Sequence, residues 1–334
     1  MSGENQNIAL MAELASKEIF DVFGWRLVGP KNKNWGCVEQ EKHDRRRVGT
    51  HPSDMVFRYE DPWSGKDLYV TSDMKSYAKG TITPQPVVGA LRNLARSVDC
   101  ANKSEEFQTL YVDGSRQHQV IGMLFVYNHD GGYDQDFSEV MEAVNPSQAD
   151  VAENNRVGVI GPKRVIYLNS VAKDIIIAQT RKGEMGPDAE WDFHYPNLQT
   201  IRFAKTTSKV ANLETLLCPW LVVHYAKFTL GIPKRGYFVY YDARGSSVEE
   251  FQHLLDYLFK YQLATDDVRI SVRMAYACPE APAVFQKAKD NYAEDYWPIA
   301  HVSPEQVRER MANIGLHTIT SLVQRFSEVE LGME

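Results

Sequence analysis

Three polar residues of a predicted hairpin, Asp54, Asp73 and Lys75, constrain this chain more than any other feature of its sequence. Strand-forming segments flank residues 62–65, Pro-Trp-Ser-Gly, which are typical of a turn, so the region is predicted to be an antiparallel hairpin. The midpoint between positions 54 and 73 falls inside that turn, and the two aspartates should therefore face each other at the hairpin's open end. Side chains alternate along a strand, so Asp73 and Lys75 should project the same way.

Two opposed carboxylates destabilise a sheet unless something compensates them, and a divalent cation would do so. Mg²⁺ prefers oxygen ligands and takes one or two protein carboxylates together with substrate phosphate oxygens. A lysine beside the metal could orient the attacking water or neutralise charge on the phosphate. The pattern therefore favours phosphodiester hydrolysis with Mg²⁺ or Mn²⁺. The alternative is that Asp54 and Asp67 are strand-end turn residues, while Asp73 and Lys75 form a solvent-facing charge pair.

At these residues the chain resembles the PD-(D/E)xK, or restriction-endonuclease-like, nucleases. Asp54 is preceded by serine, with the proline one place earlier at Pro52, and the second element runs from Asp73 to Lys75. The resemblance covers roughly residues 8–130. It implies an α/β fold in which helices flank a mixed sheet. It also implies that Asp54 and Asp73 are metal ligands and that both act in catalysis with Lys75.

Many members of this family also carry a glutamate on the helix before the sheet. Residues 8–23 are predicted to form an amphipathic helix, because apolar residues recur at helical spacing. Glu13 stands at the family's position on that helix, which makes it a further candidate metal ligand and catalytic residue, and Glu18 competes for the same role. The alternative for Glu13 is a solvated helix charge.

The net charge of −7 is unusual for a protein that coats nucleic acid by charge alone. Residues 1–100 nevertheless carry fourteen Lys or Arg against thirteen Asp or Glu, so the acidity lies mostly in the later part. A basic loop ahead of the hairpin could follow a phosphate backbone towards the aspartates. The predicted nucleic-acid-binding residues are Lys42, Arg45, Arg46, Arg47 and Lys79. The alternative is a solvated loop in which Glu39, Glu41 and Asp44 are the local partners.

The composition, 43% hydrophobic over 334 residues, is that of a globular protein long enough for two domains. No segment approaches the ~18–20 apolar residues of a membrane helix, and the first residues lack the features of a secretory signal. A cytoplasmic protein that does not contact membranes is expected. The cysteines are widely spaced, which disfavours a zinc site and a disulfide framework alike. We expect reduced thiols at Cys37, Cys100, Cys218 and Cys278.

The domain organisation predicted from the sequence is a nuclease-like domain at residues 1–180 and an α/β accessory domain at residues 181–334. The boundary follows from a Gly- and Pro-containing linker at 182–190. The accessory domain is expected to bind a partner, a regulator or substrate.

Individual elements can also be predicted. Capping boxes at 247–250 and 303–306 predict the starts of two helices. We expect a strand at 164–168, a strand or a helix at 216–225, and a final helix ending near residue 329.

These features favour a metal-dependent endonuclease. DNA is favoured over RNA by the resemblance alone, which also implies a role in restriction or antiphage defence. Because the chain has no nucleotide-binding loop, any energy coupling would need a separate sensor or NTPase protein. A homodimer would place two sites on opposite strands of a duplex. The alternative is a catalytically inactive nuclease-like module that binds nucleic acid or a protein partner.

Overall fold

A computed structural model describes residues 19–45, 47–114, 116–180, 184–196, 206–229, 232–265, 268–300 and 303–321. Glu13, Glu18 and Arg46 lie outside these residues. The chain divides into two compact units, and among the described residues the first contains those up to Asn169 together with Asn212–Leu217. The second contains Ser170–Ala211 and the residues from Cys218 onwards. The boundary predicted after residue 180 stays a prediction.

The first unit is built on a mixed sheet. Its strands are β1 (Arg26–Val28), β2 (Lys33–Gly36), β3 (Thr50–Ser53), β4 (Met55–Glu60), β5 (Asp67–Tyr77), β6 (His118–Asn128) and β7 (Val157–Ile160). Five of them form one sheet in the order β1-β4-β5-β6-β7, while β2 and β3 form an antiparallel pair of their own. Strands β1, β4 and β5 pair antiparallel, whereas β5, β6 and β7 pair parallel.

A long helix, α1 (Pro84–Ala101), packs on β6. Proline in its first turn suits a helix start, because the missing N–H would have no partner there. Leu94 and Val98 on its apolar face come close to the backbone of Gly122, where a Cβ would lie 2.8 Å from Cγ2 of Val98. Glycine at this position therefore lets the helix approach the sheet. The helices that follow are α2 (Glu105–Tyr111), α3 (Phe137–Glu142), α4 (Pro146–Ala149) and α5 (Pro162–Thr180).

Aromatic side chains pack beside β4. The ring centroid of Phe20 lies 4.9 Å from that of Trp25, 4.8 Å from that of Phe57 and 5.5 Å from that of Phe125. Phe57 and its neighbour Val56 point to opposite faces of the strand, and both are fully buried. The sheet is thus covered on both sides, which fixes the hairpin that carries Asp54 and Asp73.

The second unit is also α/β. Its strands are β8 (Glu190–His194), β9 (Thr207–Ser208), β10 (Trp220–Thr229), β11 (Ile232–Tyr241), β12 (Arg269–Met274) and β13 (Ile314–Thr318), in the sheet order β13-β12-β11-β10-β8-β9. Its core packs helices against the sheet through buried side chains such as Leu254, Leu258 and Val272. The helices after α5 are α6 (Leu213–Leu217), which belongs to the first unit, then α7 (Val248–Lys260), α8 (Ala281–Ala300) and α9 (Pro304–Met311).

Two predicted elements are wrong. Residues 164–168 lie within helix α5 rather than in a strand, and Pro162 opens that helix while Leu168 and Val171 are buried on it. The final helix is contradicted where it can be tested, because residues 314–318 form β13, which pairs parallel with β12. The rest of that predicted helix, from residue 322, lies outside the described residues.

The remaining predictions agree with the fold. The segment at 216–225 contains the end of a helix followed by a strand, and the capping boxes at Ser247 and Ser303 both form. The mixed sheet flanked by helices and the second α/β region are both as predicted. Among the described residues, no helix combines the length and the apolar character required to span a bilayer.

Candidate functional site

The hairpin forms with the predicted register. Strands β4 and β5 pair antiparallel from Met55 opposite Ser72 to Glu60 opposite Asp67. The same register, continued by one residue, places Asp54 across from Asp73. The backbone N–H of Asp54 donates to the carbonyl of Ser72 at 3.2 Å, which ties this residue to the strand beyond the last regular pair.

Asp54 is held in a defined orientation by the backbone around it. Its Oδ2 accepts a hydrogen bond of 2.7 Å from the backbone N–H of Met74, and its own carbonyl accepts one of 2.8 Å from the N–H of Asn32. Burial and then the charge of Asp73 raise the pKa of Asp54 to about 6, while the Met74 hydrogen bond and Lys75 act in the opposite direction. Burial of Asp54 and its repulsion by Asp73 together therefore outweigh the hydrogen bond and the positive charge that favour its ionised form.

Lys75 is paired with one of these carboxylates. Its Nζ lies 2.7 Å from Oδ1 of Asp73, and the two side chains are 36% and 16% exposed. Burial alone would lower the pKa of Lys75, but the charges of Asp73 and Asp54 and the hydrogen bond to Asp73 outweigh it and raise that pKa. Lys75 is therefore positively charged, and its charge interacts favourably with both Asp73 and Asp54.

The position of Asp73 and Lys75 on the sheet explains why both side chains are partly buried. In the parallel register, Asp73 lies beside Leu124 and Lys75 lies beside Val126, so these side chains share one face. Leu124 and Val126 are buried against helix α1 in the apolar core. The charged groups therefore sit at the edge of an apolar layer, where electrostatic interactions are stronger than in open water.

The predicted phosphate-contacting residues are spread over the surface. Lys42 is exposed, but its Nζ is 2.6 Å from Oδ2 of Asp99. Arg45 donates from Nη2 to Oδ1 of Asn93 at 3.3 Å, and Arg47 is exposed. Lys79 is paired with Asp134 at 2.8 Å. These four residues are available at the surface to different degrees, and the ion pairs of Lys42 and Lys79 reduce the charge that they can offer a phosphate.

Sequence reasoning missed one component of the site, the backbone N–H of Met74 that orients Asp54. The register contained the signal. Once Asp54 is placed opposite Asp73, the amide next along β5 is within reach of its side chain. Backbone donors are obligatory hydrogen-bonding groups, so such an amide could have been sought from the hairpin alignment alone.

A family model described as the GAPS4 protein PD-(D/E)XK nuclease domain matches residues 1–164. Residues 1–164 therefore form a domain of the PD-(D/E)XK nuclease family. No curated protein matches the chain. The matched residues contain Asp54, Asp73 and Lys75, and Asp73-Met74-Lys75 has the form D-X-K that appears in the family's description.

The residues of the PD-(D/E)XK domain suit a hard divalent cation. Asp54 and Asp73 offer carboxylate oxygens, which such cations prefer. The raised pKa of Asp54 indicates a buried carboxylate whose negative charge lacks full compensation, and a bound cation would provide it. When bound, a divalent metal lowers the pKa of its water and polarises a phosphoryl group.

Proposed function

We propose that this chain is a metal-dependent endonuclease that uses Mg²⁺ or Mn²⁺ to hydrolyse phosphodiester bonds, with DNA as its substrate. The observation that carries the proposal is the register of the β4–β5 hairpin, which brings Asp54 and Asp73 together, with Lys75 at 2.7 Å from Asp73. Membership of a nuclease family supports the class of reaction. DNA as the substrate is supported by the family resemblance alone.

Each residue has a distinct role in this proposal. Asp54, oriented by the amide of Met74, and Asp73 would hold the metal ion. Lys75 would leave its ion pair with Asp73 when metal binds and would then face the substrate, where it can orient the attacking water or neutralise charge on the scissile phosphate. Glu13, which lies outside the described residues, remains a proposed third carboxylate.

The proposed setting of the activity rests on less direct support. None of the four cysteines forms a disulfide, which agrees with a reducing compartment such as the cytoplasm. A role in restriction or antiphage defence, with a separate sensor or NTPase protein and a homodimeric arrangement of two sites, is supported by the family resemblance and by the missing nucleotide-binding loop.

The test is a cutting assay with the purified full chain. Supercoiled, linear duplex and single-stranded DNA, and RNA, are incubated with Mg²⁺, Mn²⁺ or EDTA. We expect metal-dependent cutting of DNA, lost in Asp73→Ala and in Lys75→Ala. A matched control is Asp113→Asn, which removes an aspartate that is 61% exposed and pairs with Arg58 in the same domain, and which should cut normally.

A parallel measurement decides what an inactive preparation means. The melting temperature is recorded with and without Mg²⁺ for the wild type and for Asp73→Ala, because a ligand stabilises the state that binds it. Stabilisation of the wild type alone, without cutting, would indicate a metal site that needs an activating partner. If neither cutting nor stabilisation occurs, the enzymatic proposal fails and a nucleic-acid- or protein-binding module takes its place.

A further inference from the structure

Four buried cysteine and histidine side chains meet away from the hairpin, within the first unit. Each of Cys37, His43, His51 and Cys100 offers one ligand atom, and these four atoms lie within 4.8 Å of one another. The exposure of the four residues is between 0% and 6%. We propose that they form a structural zinc site, separate from the Asp54 and Asp73 cluster and independent of the proposed nuclease reaction.

The distances between donors match tetrahedral coordination. The sulfurs of Cys37 and Cys100 are 3.9 Å apart, and the sulfur of Cys37 is 3.4 Å from Nδ1 of His43. A tetrahedral Zn²⁺ with Zn–S near 2.3 Å and Zn–N near 2.1 Å separates two sulfurs by about 3.8 Å, and a sulfur from a nitrogen by about 3.6 Å. These two separations therefore fit a zinc ion, and every other pair of donors lies within 4.8 Å.

His51 provides an independent indication of a ligand. Its Nδ1 is hydrogen-bonded to Oγ of Ser97 at 3.2 Å, whereas its Nε2 is buried with no hydrogen-bond partner among the described residues. An unsatisfied buried polar atom costs about 1–3 kcal/mol, so native structures rarely retain one without a reason. Coordination through Nε2 would satisfy this atom. A network of hydrogen bonds among the thiols and His43 accounts for the other donors but leaves His51 unexplained.

The surrounding groups orient these side chains as partners of metal ligands do. Nε2 of His43 is 3.0 Å from Oδ2 of Asp99, which leaves Nδ1 facing Cys37. The backbone N–H of Val38 donates to the sulfur of Cys100 at 3.1 Å. Metal-bound histidines almost always donate their second ring N–H to a carboxylate, a carbonyl or a water. Asp99 meets this requirement for His43, and the hydroxyl of Ser97 hydrogen-bonds the second nitrogen of His51.

The fold explains why the sequence does not indicate this site. Cys37 follows strand β2, His51 lies in β3, and His43 lies in the turn between them, while Cys100 is in the last turn of helix α1. Four protein ligands close the coordination sphere, so the ion would have a structural role. It would fasten the loop that carries Lys42, Arg45 and Arg47 to the helix.

The site can be tested on the reduced full chain without an activity assay. After expression with zinc and dialysis against buffer, elemental analysis should find about one zinc per chain, because closed sites of this kind hold zinc tightly. Cobalt substitution should give the thiolate charge-transfer absorption of a tetrahedral site. Cys100→Ser and His51→Gln should lose both signals, while Cys218→Ser and Asp73→Ala should retain them.

The outcomes separate this proposal from the nuclease. Zinc that is lost in Asp73→Ala but retained in His51→Gln would place the ion in the carboxylate cluster and overturn the proposal. Zinc below about 0.1 per chain in the reduced wild type, with no cobalt charge-transfer band, would also overturn it. Zinc analysis and the cobalt spectrum can both be recorded on the wild type alone. The proposal can therefore be overturned even if Cys100→Ser does not fold.

Discussion

Two pairs of carboxylates in the first unit experience opposite electrostatic surroundings. Among the described residues, Asp54 and Asp73 have a single lysine, Lys75, at 2.7 Å from Asp73. Glu39 and Asp99 have two: Lys42 is 2.6 Å from Asp99 and 3.4 Å from Glu39, and Lys103 is 3.3 Å from Asp99 and 2.9 Å from Glu39. We call the first group the hairpin pair and the second the balanced pair.

The protonation behaviour of the two pairs follows from this difference. Burial and a neighbouring carboxylate raise the pKa of Asp54 to about 6. Burial alone would also raise the pKa of Asp99, but hydrogen bonds from Lys42, His43 and Lys103 outweigh it and hold that pKa below its usual range. In the balanced pair, the ionised form of Asp99 therefore contributes to folding stability. In the hairpin pair, the ionised form of Asp54 opposes folding until a cation or a proton neutralises it, which is the behaviour of a binding site.

The largest expected difference between the two pairs is in catalysis. Asp54→Asn removes a proposed metal ligand while keeping an oxygen that can accept from Met74, and we expect cutting to fall by about 10³-fold or more. The measurement is the initial rate of plasmid nicking in Mn²⁺. Lys103→Gln, which disturbs only the balanced pair, should cut at the wild-type rate. Equal losses in both variants would mean that the rate reports stability and not the site.

Metal-induced stabilisation should distinguish the pairs next. At a Mg²⁺ concentration about 100 times the dissociation constant, binding adds about 2.7 kcal/mol to the free energy of unfolding, or roughly 5–10 °C in melting temperature. Differential scanning fluorimetry should show this shift in the wild type and in Lys103→Gln, and no shift in Asp54→Asn. A shift that survives Asp54→Asn would place the Mg²⁺ elsewhere.

The hairpin pair could be predicted from the sequence because it depends on local rules. A turn sequence fixes the midpoint of a hairpin, and the side-chain alternation of strands fixes the faces. The register that aligns Asp54 with Asp73 follows from these two facts. The same local rules gave the helix starts at Ser247 and Ser303, where a side chain caps the backbone three residues away.

One of the errors arose where a distant part of the chain decides the structure. Residues 314–318 form a strand because β12 is beside them, despite Gly315 in their midst. The expectation that no zinc site forms stays a prediction; it rested on the spacing of cysteines along the chain, whereas Cys37 and Cys100, 63 residues apart, have their sulfurs 3.9 Å apart. Spacing in sequence predicts sites within one loop, and it cannot predict sites assembled from a loop and a helix.

Without metal, the two pairs should also respond oppositely to pH. The folded pKa of Asp54, about 6, exceeds the unfolded value of 3.8, so the folded state binds the proton more tightly. Its destabilising effect is present above pH 6 and disappears as the pH falls towards 4. In EDTA, Asp54→Asn should therefore be more stable than the wild type by about 1–2 kcal/mol at pH 7.5, with the difference narrowing below pH 6 and closing towards pH 4.

The balanced pair provides the matching variant. The pKa of Asp99 is depressed on folding, so its contribution is present above the unfolded value and is lost as the pH falls through the folded one. Asp99→Asn should therefore be less stable than the wild type at pH 7.5, by about 1–2 kcal/mol. Urea unfolding at several pH values measures both differences. Destabilisation by Asp54→Asn at pH 7.5 would contradict the contrast between the pairs.

The smallest expected effect is on nucleic-acid binding by two basic residues, Lys42 and Arg47. Lys42 is bound to Asp99 at 2.6 Å, whereas Arg47 is exposed and has no ion pair within the part of the chain that the structure describes. In an Asp73→Ala background with EDTA, which prevents cutting, Arg47→Ala should weaken binding to a labelled duplex by about 2–5-fold and lower the salt dependence by about one ion.

Lys42→Ala should weaken binding less than Arg47→Ala. To contact a phosphate, Lys42 must first break its ion pair with Asp99, and the cost of breaking that pair offsets the gain from the contact. Fluorescence anisotropy at several salt concentrations compares the two variants. Equal weakening would show that Lys42 leaves Asp99 when nucleic acid binds. The balanced pair would then lose a lysine in the complex and would come to resemble the hairpin pair, so the difference between them would be a property of the free protein only.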